Sequence, residues 1–181
     1  ISDNMEGIAG ATWTTQILPV RVLGKCGGFD SDIIAAMRWA AGLNVPGVSA
    51  NPTPAKILNL SLGGSGSCTS SYRQAISDLT AVGALVVAAA GNEHGPVDSP
   101  ARCAGVLAVA GLRHVGTKVG YSSLGVEVGI SAPAGNCVNL DPGMPCLFAL
   151  KTTSNTGVTV PGLAAYTGKL IKVIEVAAPQ K

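Results

Sequence analysis

A chain of 181 residues is long enough for one domain with a substantial core. Its 47% hydrophobic and 12% charged content, against about 25% charged in an average domain, excludes a disordered chain. A net charge of +2 with scattered Lys and Arg excludes nucleic acid as a partner, and apolar runs such as 84–90 fall far short of the roughly 20 residues that span a membrane.

In chain order, residues 17–23, 57–62, 84–90, 106–111 and 126–131 read as strands by length and β-branched content. They are nearly continuous in apolar residues, the pattern of strands buried on both faces. Between the first two, residues 32–41 read as a helix, with Asp30, Ser31 or Asp32 as N-cap and Gly42 as the stop. Residues 44–53 form a Pro-, Gly- and Asn-rich loop. Between the second and third strands, Tyr72, Ala75, Ile76, Leu79 and Val82 recur at helical spacing and Gly83 ends the run. Alternating strands and helices predict an α/β fold, three-layered around a mostly parallel sheet. Such sheets bind ligands beyond the carboxyl ends of their strands, here 24–29, 61–67 and 90–95, all rich in Gly or Ser. No signal-peptide pattern is legible at the start.

The five cysteines form no Cys-x-x-Cys pair, and His94 and His114 are not at metal-ligand spacing, so no metal and no cofactor are expected. Cys137 and Cys146 flank a loop that a disulfide would close. Cys26 and Cys68 each follow a strand-like run at the same end of the sheet, and a second disulfide there would leave Cys103 over. Disulfides at both places imply an exported protein; five reduced, buried thiols are the alternative.

Five blocks in this sequence resemble successive blocks of the subtilase family of serine proteases. They are 17–24 (ILPVRVLG), 57–64 (ILNLSLGG), 86–93 (VVAAAGNE), 99–109 (SPARCAGVLAV) and 121–133 (YSSLGVEVGISAP). The Lys-Cys-Gly-Gly turn at 25–28 is similar to that of secreted bacterial members. The resemblance divides the chain into a partial subtilisin-like catalytic domain, 1–162, and a divergent tail, 163–181. It implies that Asn92 donates its side-chain amide to the oxyanion formed during acyl transfer. It also implies that Gly27, Gly28 and Phe29 form one edge for an extended substrate, and Ser61, Leu62 and Gly63 a second. Together with Ala89, Ala90, Gly91 and Asn92, that second edge would line the pocket for the residue before the cut. As an ordinary sequence feature, Gly91-Asn92 is a turn dipeptide.

The family's catalytic Asp, His and Ser are not recognisable. No Asp-Gly strand end and no His-Gly-Thr segment precede residue 17, and 163–181 contains no serine. The expected function is a subtilase-type serine hydrolase in truncated form, acting on a peptide or small ester. Two alternatives stand beside it: an esterase with Ser61 as nucleophile and His94 or His114 as base, and an inactive fragment that only binds or self-associates. In the family another strand lies between those matching 17–23 and 57–62, and a buried helix carries the serine. Without them the sheet should expose an edge and an apolar face, leading to a homo-oligomer or a rearranged sheet.

Overall fold

The computed structural model describes residues 12, 15–24, 26–135, 152–156, 160 and 162–167. Four parallel strands run in the order β1 (Ile57–Leu60), β2 (Leu85–Ala89), β3 (Val106–Leu112) and β4 (Val128–Pro133). Each is paired to the next, with Leu58 opposite Val86 and Ala88 opposite Ala108. A register shift between Ala108 and Val109 interrupts the β3–β4 ladder. A separate antiparallel pair joins β5 (Thr152–Asn155) to β6 (Ala164–Thr167), across the expected boundary at 162/163.

Two helices cover the sheet. α1 (Asp30–Ala40) starts two residues earlier than expected, and its N-cap is Phe29, whose side chain makes no capping bond. Asp30 does not cap the helix, because its carboxylate instead accepts the Tyr72 hydroxyl at 3.0 Å and so ties α1 to the second helix. Burial, then Asp30, hold the Tyr72 phenol above its ordinary pKa. Gly42 stops the helix as expected, at φ +84°. Asn51, from the following loop, donates to the Trp39 and Ala40 carbonyls and satisfies the helix end. α2 (Ser70–Ala81) is capped by Thr69, whose hydroxyl accepts the Tyr72 N–H.

Ile33 and Met37 of α1 and Tyr72, Ile76 and Leu79 of α2 pack with Leu58, Leu60, Val86, Ala88, Ala108 and Ala110 in one core. These strand residues alternate, so they share one face of the sheet. The other face departs from the reading of strands buried on both sides, and it exposes apolar residues of the kind expected where a covering helix is missing. Ile57 is 65% exposed, Leu85 43% and Ile130 54%, and none of the described helices lies over them. A continuous apolar run satisfies either arrangement, so strand composition by itself does not distinguish them.

Residues 17–23, expected as a strand, form no ladder; the only bridge nearby joins Gly24 and Gly27. Strand conformation persists when its N–H and C=O groups find a partner, and no described strand lies beside this stretch. The outer edge of β1 is likewise unpaired among the described residues.

The expected pairing of Cys26 with Cys68 is corrected. Cys68 bonds Cys103, with Cα atoms 5.2 Å apart, and Cys26 is free and exposed. The loop before β3 brings Cys103 to the residue just ahead of the α2 N-cap, a juxtaposition across 35 residues that strand ends alone do not disclose. Cys137 and Cys146 lie outside the described residues.

Candidate active site

Beyond the carboxyl ends of β1 and β2, two turns are stitched together through a third segment. Gly64 and Ser99 exchange backbone hydrogen bonds, each 3.0 Å long, and the Asp98 N–H donates to Ala90 O at 2.9 Å. The Asp98 side chain therefore stands between the two turns. A Cβ at Gly63 would lie 3.3 Å from Asp98 Cβ, and one at Gly91 would strike the Asp98 carboxylate, with Cγ at 2.8 Å and Ser123 Oγ at 2.9 Å. Gly91 also has φ +112°, so geometry and space both demand glycine there. Desolvation, then Glu93, raise the Asp98 pKa against the opposing pull of Arg102.

Asn92 follows directly. It is half-buried, and its side chain hydrogen-bonds no described residue. The turn that carries it is braced by the segment before β4. Ser123 N–H donates to Gly91 O at 2.9 Å, Glu93 N–H to Ser123 Oγ at 3.3 Å, His94 N–H to Tyr121 O at 3.0 Å, and Leu124 N–H to Gly95 O at 2.9 Å.

The other expected edge is a tight reversal in which Gly24 and Gly27 bond each other. It leaves Gly27 and Gly28 exposed and Phe29 76% exposed. An open cleft of about 230 Å³, lined by Asp30, Gly64, Ser67 and Ser99 among others, runs between the residue after Phe29 and the Gly64 turn. Its size is below that of typical enclosed ligand pockets and suits a surface groove.

Ser61 and His94, the residues of the alternative esterase site, are engaged separately. Ser61 Oγ accepts from Asn59 Nδ2 at 2.8 Å. The His94 ring places Nδ1 2.6 Å from Gly120 O and 3.0 Å from Lys118 Nζ. No hydrogen bond joins Ser61 to His94, so the base-to-nucleophile contact is not formed between them. Lys118, which sequence reasoning passed over, is held by several backbone carbonyls. Desolvation, then Arg113, draw its ammonium below the ordinary lysine pKa. A single lysine in a polar loop carries no periodic or motif signal that would have found it. Among the described residues no group of three or more His, Cys, Asp and Glu is placed to hold a metal.

A parallel sheet covered by helices, with Gly-rich turns beyond the carboxyl ends of its strands, defines an α/β protein with a candidate ligand site at that edge, and comparison with known proteins names the family. The subtilase family profile matches residues 1–169, and the chain belongs to that family. It is 41% identical over 168 residues to an extracellular protease of Xanthomonas campestris pv. campestris, covering 92% of this chain and 27% of that protein. It is 36% identical to an extracellular basic protease of Dichelobacter nodosus, over 94% of this chain and 29% of that one. A solved protease structure from Pseudoalteromonas arctica PAMC 21717 superposes with a TM-score of 0.82 at 39% identity, covering 90% of this chain and 48% of its own. The chain thus spans under half the length of each of these relatives.

Proposed function

We propose that this chain supplies the substrate-binding and oxyanion-stabilising part of a peptide hydrolase that works through an acyl-enzyme. In this reading an extended peptide lies between the 27–29 edge and the 61–63 edge. Ala90 and Gly91 flank the side chain before the cut, and the Asn92 amide donates to the carbonyl oxygen as it gains charge. The observation that carries the reading is the Asn92 turn: half-buried, unengaged by described side chains, and fixed by backbone bonds on both flanks. An oxyanion donor is effective when it is held before the reaction rather than reorganised during it. An exported setting is supported by the relatives, which are named extracellular proteases.

The esterase reading built on Ser61 is not favoured, since the Ser61 hydroxyl and the His94 ring each have other partners.

The test combines hydrolysis of a p-nitrophenyl ester with fluorophosphonate labelling and mass spectrometry. Under the acyl-enzyme reading a single serine is labelled, and Asn92→Ala lowers kcat by about 10²–10³ without moving the melting temperature. A wild-type chain that neither turns over nor labels leaves the binding-only reading. Equal turnover of Asn92→Ala and wild type rejects the oxyanion role.

A further inference from the structure

The ammonium of Lys118 sits where three backbone carbonyls converge. Its three N–H groups face Val119 O at 3.1 Å, Gly120 O at 2.9 Å and Ser122 O at 3.0 Å, and the His94 ring lies alongside, with Nδ1 3.0 Å from Nζ. The backbone curls to make this arrangement, closing the turn with Ser122 N–H donating to Val119 O at 3.2 Å. Three carbonyl oxygens pointed at one spot repel one another unless positive charge lies between them. Backbone carbonyl cages of this kind hold monovalent cations in selective channels. The separations of 2.9–3.1 Å match N–H···O bonds from an ammonium. They exceed the ~2.3–2.6 Å that calcium requires.

We propose that residues 119–122 form a binding site for an ammonium-type monovalent cation, occupied by the chain's own Lys118, and that this tethered cation locks the turn against the Asn92 segment. The lock reaches Asn92 because the same short stretch supplies the acceptor for His94 N–H, namely Tyr121 O, and sits beside Gly120 O against the His94 ring. His94 has φ +53°, in the left-handed region that few non-glycine residues adopt. The proposal does not depend on the hydrolase reading, since it concerns what fills the cage.

The test removes the tether and offers the cation back. Lys118→Ala should lower the melting temperature by about 2–8 °C, the shift that a loss of about one to two kcal/mol gives in a chain of this size. Ammonium or methylammonium chloride should recover most of that loss in a saturable way. Tetramethylammonium chloride at equal ionic strength, too large for the cage, should not. Lys118→Met, which keeps the stem without charge, should lose stability and show no recovery, and the wild type should respond equally to all three salts. Recovery of Lys118→Ala that is identical in every salt, or a variant as stable as wild type, overturns the proposal. Should Lys118→Ala fail to fold, the wild type still decides the matter. In ¹⁵N-detected lysine spectra the Lys118 ammonium protons should exchange with water several-fold more slowly than those of Lys56, whose Nζ makes a single described bond to Val82 O. Equal exchange at the two lysines overturns the proposal as well.

Discussion

The carboxyl tips of β1 and β2 and the outer edge of β1 are built from similar small and aliphatic residues, yet they are held in opposite ways. At the tips every turn is tied to another: Gly64 to Ser99, Asp98 to Ala90, Ser123 to Gly91 and Glu93. At the β1 edge Ile57 and Asn59 face outward, and no described strand takes up their backbone groups. The difference teaches that apolar content does not decide which part of this sheet is ordered for chemistry. The number of backbone partners beyond the strand does.

The sharpest way to break the comparison is at Gly91. Gly91→Ala places a methyl against the Asp98 carboxylate at a positive φ, and strain and overpacking together should remove about 2–4 kcal/mol. Urea denaturation measures this directly; a loss under about 0.5 kcal/mol would mean the tip is far more pliable than its bonds suggest.

A smaller effect should come from Asp98. Its raised pKa means that the folded chain holds the proton more tightly than the unfolded chain does. This contribution is fully present below the ordinary aspartate pKa and is lost as pH rises through the window up to the raised value. Asp98→Asn removes the titrating group, so wild type should fall in stability relative to the variant across that window. Denaturation midpoints of the two proteins from about pH 3 to 7 check the sign, and parallel curves would refute it.

The smallest change in stability is expected on the open face. Ile57→Thr with Leu85→Thr should alter folding stability by no more than about 0.5 kcal/mol per site, because both side chains are largely exposed. If this face mediates self-association, the pair should instead shift the sedimentation coefficient toward that of a monomer. A wild type that is already monomeric would show that the apolar face alone does not recruit a second copy.

Much of this architecture was legible beforehand. The periodicity of Tyr72, Ala75, Ile76 and Leu79 marks α2, and all four residues are buried. The four apolar runs from 57 onward became β1 to β4 within about two residues at each end. Residues 17–23 have equal β-propensity and formed no strand, because propensity describes a residue whereas a ladder needs a neighbour. Strand ends point Cys26 toward Cys68, whereas the partner of Cys68 is Cys103, which comes from the loop before β3 and carries no strand-end signal. The Gly-rich tips were visible as composition. The braces around Asn92 were not, since bonds between main-chain atoms leave no mark in the order of side chains.

The Cys68–Cys103 bond has a consequence for survival. It closes a ring that contains α2, β2 and the whole Asn92 turn. A protease that nicks the backbone at any point from 69 to 102 leaves both ends of the cut still joined through sulfur, so the fragments cannot drift apart. For a chain whose relatives are themselves extracellular proteases, one stray scission in this segment is a wound that the covalent ring holds closed.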